Sequence, residues 1–211
     1  MTTLPIFPLE SVLLPGMPLS LRVFEPRYLV MMHRVLDGEG SFGVVLIERG
    51  SEVGGGDHRF AVGTVARVTD HGVSGDLLGV LAWGEDRFEV VEWLPDDPYP
   101  QARVRTLPPL AWTGDLTPRL AQTERAVRRA LATLSEFGDT RWPASVEVSD
   151  DPLAAAWQLA GIAPLSPLDH VALLRSPTAT ELLDRTAALA AEATELAAFR
   201  LRADDPGTGD A

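Results

Sequence analysis

The chain has 211 residues, 45% of them hydrophobic and 23% charged, and its 30 acids against 18 basic residues give a formal charge of −12. This length suits one large domain or two small ones with a sizeable core, while the charge argues against a nucleic-acid partner, whose phosphates need clustered cations. All 18 basic residues are arginine and cysteine is absent. That excludes a P-loop lysine, lysine Schiff bases and Ser–Lys dyads, and also disulfides, thiolate metal sites and cysteine nucleophiles.

The acidic excess is shared evenly, with 15 acids and 9 arginines in residues 1–108 and the same again in 109–211. Neither half is a basic module. The first positive side chain is Arg22, unlike the charged start of a signal peptide. No apolar stretch approaches the ~18 residues of a membrane span. A cytoplasmic protein without a membrane partner is expected.

Up to about residue 108 the segments are short and punctuated by Gly and Pro. Strands are predicted near 4–8, 19–24, 41–48, 60–69, 77–83, 86–94 and 101–107. Ser41–Ile47 is almost continuously apolar, as in a strand buried on both faces, whereas Arg87–Val90 and Ala102–Arg105 alternate as a half-solvated sheet does. Gly54-Gly55-Gly56 and His71-Gly72 read as loops. One helix interrupts the strands: Pro26 suits a first helical position, and Tyr28, Met32, Val35 and Leu36 recur at helical spacing until Gly38.

Beyond about residue 115 the period becomes helical. Thr117-Pro118 starts a helix with Leu120, Val127, Leu131 and Leu134 as its stripe. Asp151-Pro152 starts a second, running through Trp157 to Gly161, and Ser166-Pro167-Leu168-Asp169 starts a third. A fourth begins near Ser176-Pro177, with Thr178 and Glu181 spaced as a capping box and Leu182, Leu189, Ala193 and Leu196 as the buried face. The organisation is therefore α+β: a barrel-like β subdomain over 1–110 with one short helix, a helical bundle over 111–202, and a polar tail, 203–211, expected to be disordered.

Candidate chemistry is sparse. Asp57-His58 and Asp70-His71 match no zinc spacing and read as solvated turns. His33 and His170 fall on predicted helices, no G-x-S-x-G elbow is present, and Asp169 and His170 stand about 100° apart around a helix. Gly54-Gly55-Gly56 precedes no helix and reads as a hairpin tip. Leu13, Leu14, Pro15 and Met17 suit packing beneath a Pro-Gly turn, or the wall of a groove for extended polypeptide. Arg22, Glu25 and Arg27 read as a partly buried ion-pair clamp on a strand-to-helix turn.

Several motifs in fixed order carry a family resemblance. Leu4-Pro5-Ile6-Phe7-Pro8-Leu9 is followed by Leu14-Pro15-Gly16 and then by Leu19-Ser20-Leu21-Arg22-Val23-Phe24-Glu25-Pro26-Arg27-Tyr28. Phe42–Leu46, Val62–Val68 and Gly84–Phe88 come next, and Leu165–His170 with Leu173-Leu174 precedes the last helix. Together these resemble the N-terminal, substrate-binding domain of ATP-dependent Lon proteases, a domain similar to one in cereblon, the substrate receptor of a ubiquitin ligase. The resemblance covers nearly the whole chain except the tail. It implies a PUA-like β-pseudobarrel followed by an α-helical bundle. A Lon protease continues into ATPase and Ser–Lys protease modules, which this lysine-free sequence does not contain, so the resemblance implies a standalone form that recognises without degrading. It carries no catalytic residues, metal or cofactor.

The expected function is thus a non-catalytic module that binds unfolded or extended polypeptide, as an adaptor in protein quality control, with Leu13, Pro15, Phe24, Tyr28 and Phe88 near the groove. The alternative is a small-molecule-binding PUA-like domain or an enzyme, which requires a deep pocket with convergent polar groups. PUA-like barrels also include RNA binders, a role that the charge of −12 opposes.

Overall fold

The computed structural model describes residues 1–47, 59–136 and 141–204, with side chains through Phe199. Gly54-Gly55-Gly56, His58 and most of the polar tail lie outside the described residues. The chain divides into two compact units, Met1–Pro109 with His170–Arg175, and Leu110–Asp169 with Ser176–Ala211.

The first unit is a mixed barrel. Its strands are β1 (Thr2–Leu9), β2 (Pro18–Val23), β3 (Ser41–Ile47), β4 (Arg59–Ser74), β5 (Leu77–Leu94) and β6 (Gln101–Thr106), with helix α1 (Pro26–Asp37) between β2 and β3. The sheet order is β2-β5-β4-β3-β1-β6, and a β5–β6 pairing closes it. Among the described residues only β1 and β3 pair in parallel, a connection that needs a crossover. The β2–α1 segment supplies the residues for it. The predicted strands 77–83 and 86–94 are one 18-residue strand, because Gly84 continues the pairing through a bulge where a turn was expected. His71-Gly72 is likewise in β4, facing Val80 and Gly79 across a hairpin whose turn falls at Gly75, φ +61°.

Inside the barrel, Ile6, Val45, Phe88, Ala102 and Val104 form a buried cluster. Phe88 fits because two facing positions lack side chains. A Cβ on Gly43 would stand 2.8 Å from Phe88 Cζ, and one on Gly63 would stand 2.7 Å from that atom and 2.2 Å from the Val44 carbonyl oxygen.

Next to Phe88 and pointing to the other side of β5, Arg87 is also buried. Its Nη1 donates to the Leu174 carbonyl at 2.7 Å and its Nη2 to the Pro108 carbonyl at 2.9 Å. Burial strips water from the guanidinium and lowers its pKa from the ordinary arginine value. The paired residue on β4, Thr64, is buried too, and its hydroxyl donates to the Leu13 carbonyl at 2.7 Å.

The second unit holds α2 (Thr117–Ser135), α3 (Pro152–Ile162) and α5 (Ala179–Asp204), with the start of α4 (Pro167–Leu174). The start signals operate as side-chain caps at three of the four sites. Ala154 N donates to Asp151 Oδ1 at 2.8 Å, Asp169 N to Ser166 Oγ at 3.2 Å, and Glu181 N to Thr178 Oγ1 at 3.1 Å. At Ser166 the box is reciprocal, since Ser166 N donates back to Asp169 Oδ2 at 3.2 Å. Thr117 is different: a 3₁₀ turn at Gly114–Leu116 precedes it, and its hydroxyl donates to the Gly114 carbonyl.

The buried faces of α2 and α5 also depart from the predicted stripes. Leu120, Leu134, Leu189 and Ala193 are only half-buried and Leu196 is exposed. Thr123, Ala130, Leu183, Thr186, Ala190 and Ala197 are buried instead. The two threonines hide in the apolar face because each hydroxyl bonds back to its own helix, Thr123 to the Arg119 carbonyl at 3.0 Å and Thr186 to the Leu182 carbonyl at 2.7 Å. Helix α5 runs through Asp204, past the expected start of the tail. Among the described residues no helix is long and apolar enough to cross a membrane.

Two substitutions test this packing by urea denaturation. Arg87→Met leaves two carbonyls without their donor and should cost about 2–4 kcal/mol, with Arg87→Lys intermediate because an ammonium cannot reproduce the guanidinium fork. Gly63→Ala forces a methyl against the Val44 carbonyl and Phe88, and should cost about 1–3 kcal/mol or more.

Candidate functional site

The strand register sorts β2, β5 and β4 into two faces. Leu21, Val23, Leu78, Val80 and Ala82 are buried on one side. On the other, Ser20 pairs Leu81, Arg22 pairs Gly79, and Pro18 pairs Trp83, while Gly79 pairs Gly72 and Trp83 pairs Arg67 across to β4. Phe24 follows β2 directly and continues the alternation of Ser20 and Arg22.

This outer face is apolar and open. Phe24 is 68% exposed, and Leu81 and Trp83 are 42% exposed each. Leu81 and Trp83 lie two residues apart on β5, so their side chains emerge about 6–7 Å from one another. Between them and Phe24 the floor is bare backbone. A Cβ on Gly72 would meet nothing within 4 Å, and one on Gly79 only the Gly72 carbonyl oxygen at 3.6 Å. The border is polar: Arg67 and Glu85 form an exposed ion pair at 3.2 Å, and the Asp70 carboxylate accepts from His71 N at 2.8 Å.

Of the site residues expected from sequence, the structure puts Phe24 on this face and buries three others. Phe88 is in the barrel interior. Leu13 is buried with Leu14 and Met17 in the segment that packs on β5, where a Cβ on Gly84 would stand 2.3 Å from the Leu14 carbonyl oxygen. Tyr28 is buried on α1 with its ring stacked on Phe7 at 4.3 Å. Pro15 is half-buried. Leu13, Tyr28 and Phe88 are therefore buried in this structure, Phe88 inside the barrel. Sequence reasoning missed Leu81 and Trp83. They sit in the unbroken apolar run Leu77–Trp83, which has the pattern of a strand covered on both faces, although its outer face is open.

The turn at Glu25 is simpler than the expected clamp. Its carbonyl accepts from Tyr28 N at 3.0 Å and Leu29 N at 2.9 Å, starting α1 with Pro26 in the first turn. The Glu25 carboxylate pairs with Arg27 at 3.2 Å, but both side chains are over two-fifths exposed. Arg22 does not join them. It is exposed, with no ion-pair or hydrogen-bond partner among the described residues.

Among the described residues, His33 and His71 assemble no catalytic set. His33 is exposed on α1, His71 is exposed in the hairpin, and the Asp169 carboxylate is held by Ser166. Among the described residues no group of three or more His, Asp or Glu side chains could hold a metal. Within the second unit, a cleft of about 460 Å³ between α2 and α5 carries Arg119, Arg125 and Arg129 above Ala187, Ala188 and Ala191. Arg119 is paired there with Asp184 at 2.6 Å.

A closed mixed barrel and a set of capped helices define an α+β fold. The family model of the ATP-dependent protease La (LON) substrate-binding domain matches residues 3–191, and the chain belongs to that family. It is 28% identical over 153 residues to a Lon protease of Cytophaga hutchinsonii, a match that takes in 71% of this chain and 18% of the relative. Among solved structures it is similar to a Lon N-terminal domain protein from Xanthomonas campestris, with 28% identity, TM-score 0.66, and coverage of 89% of this chain and 98% of that one. The N-terminal domain of a Mycobacterium avium complex Lon protease shares the fold at 16% identity and TM-score 0.64, covering 90% of this chain and 99% of its own.

Since the Glu25–Arg27 pair is solvated, Glu25→Ala should change stability by less than about 1 kcal/mol. Equilibrium denaturation in low and high salt checks this. A larger loss would restore the buried clamp.

Proposed function

We propose that this protein is a non-catalytic module that recognises exposed hydrophobic or unfolded polypeptide segments, serving as an adaptor in protein quality control. One observation carries the reading: Phe24, Leu81 and Trp83 stand exposed on one sheet face beside a glycine floor. Side chains of this size are an expensive surface to leave in water, and an exposed apolar patch with a polar rim is the usual mark of a docking site. Family membership supports the same partner class, since the matched domain is described as substrate-binding. The whole-protein relative is a protease, but this sequence has no lysine for a Ser–Lys dyad.

Burying the exposed half of three large side chains yields about 1 kcal/mol each, against a large association cost. These side chains alone therefore give weak binding, and an affinity on the order of micromolar at best suits promiscuous recognition with further backbone contacts. The glycine floor favours an extended chain, because a flat backbone surface admits alternate side chains of a strand without selecting one shape.

Titration with unfolded and native forms of the same client protein, read by fluorescence anisotropy, tests the proposal. The unfolded form should bind and the native form should not; equally poor binding by both refutes it. The double substitution Phe24→Ser, Trp83→Ser should weaken binding by roughly tenfold or more. Val91→Ser, at an exposed position near the other end of β5, should leave it unchanged.

A further inference from the structure

Strand β2 lies at the end of the sheet order, with β5 its strand neighbour. Which of its backbone groups face outward follows from the register. Gly84 N donates to the Met17 carbonyl at 2.9 Å, making Met17–Gly84 a hydrogen-bonded position. Alternation then turns the backbone groups of Leu19, Leu21 and Val23 toward β5 and those of Ser20 and Arg22 away from it. Pro18, which has no N–H, falls in the outward set, where its missing donor costs the ladder nothing. Among the described residues no backbone hydrogen bond joins Ser20 or Arg22 to another segment.

We infer that the outer edge of β2 takes up an extended segment of another polypeptide as an added antiparallel strand, hydrogen-bonded to the backbone of Ser20 and Arg22, with an acidic side chain opposite Arg22 and an apolar one toward Phe24. This rests on the polypeptide-binding reading above and specifies how that surface binds. Edge strands are natural templates for strand addition, and this edge is continuous with the apolar face. The charge requirement comes from Arg22. Its neighbours across the outer face are Gly79 and Gly72, which have no side chains to pair with it. A residue directly opposite on an added strand has its Cβ ~5 Å away, where an opposite charge is favoured.

A second copy of β2 does not meet this requirement. The strand reads Pro-Leu-Ser-Leu-Arg-Val, with no carboxylate to face Arg22, and two copies would bring formal charges of −12 together. The fitting occupant is a foreign, acid-bearing extended segment.

The test uses the whole protein and a ten-residue synthetic peptide of alternating Thr and Leu with one central Asp, followed by anisotropy. Two isomers of the peptide carry N-methyl groups on alternate backbone nitrogens, one on each edge. Methylation of the β2-facing edge should weaken binding roughly tenfold or more, since it removes backbone hydrogen bonds and the methyl blocks approach. Methylation of the other edge should have little effect. Arg22→Glu should weaken binding of the Asp peptide and improve binding of its Lys counterpart. If both methylated isomers bind like the parent, strand addition is refuted while apolar docking stands. If neither these peptides nor unfolded proteins bind, the functional reading itself falls. Self-association by sedimentation that the peptide displaces would assign the edge to a second copy and overturn the inference.

Discussion

The hydrogen bonding of β5 along both of its edges is the constraint on which the barrel depends. Its 18 residues pair with β4 over most of their length, with β2 at the N-terminal end and with β6 at the C-terminal end. A shorter strand would leave β2 without a neighbour, or leave β6 paired with β1 alone so that the sheet would not close. The bulges between β4 and β5 let two long strands follow the barrel's curvature without breaking their ladder. Closure removes most edges from solvent. Among the described residues, β2 keeps one of its edges unpaired.

The same strand organises the interior by alternation. Phe88 points inward to the apolar cluster, while Arg87 beside it points outward into a buried site made of carbonyl groups. A charge taken out of water is tolerated only when its donors are satisfied. The Leu174 and Pro108 carbonyls meet that need with backbone oxygens, so Arg87 holds the segment after β6 and the end of α4 to the barrel. This explains why His170–Arg175, distant in sequence, counts with the first unit.

Functionally, the contrast is between the two faces of one stretch of sheet. Leu78, Val80 and Ala82 are covered, while Leu81 and Trp83 between them remain in contact with water. Apolar residues on an uncovered face weaken solubility, which the chain's strong negative charge offsets by mutual repulsion. That combination suits the transient contact with extended, apolar segments proposed for this face.

Much of this was legible in the residues. Helix starts could be read because capping is local chemistry: Asp151, Ser166 and Thr178 cap helices where their positions before the first turn indicate. The ordered motifs from Leu4 to Phe88 carried the family, and with it the barrel and the helices. The stripes of α2 and α5 were less legible, because a threonine that bonds its own helix is buried as if it were apolar. The candidate site was least legible. Phe88, Leu13 and Tyr28 look like contact residues in a string of letters, yet the fold buries them, while Leu81 and Trp83 look like core and stand open. The sequence by itself determined the local elements, the absence of lysine and thiol chemistry, and the family, since these rest on residue identity and short-range bonding. Only the tertiary structure decided which face of β5 is covered and which edge of β2 is free, because burial and pairing depend on which distant segment closes over each strand.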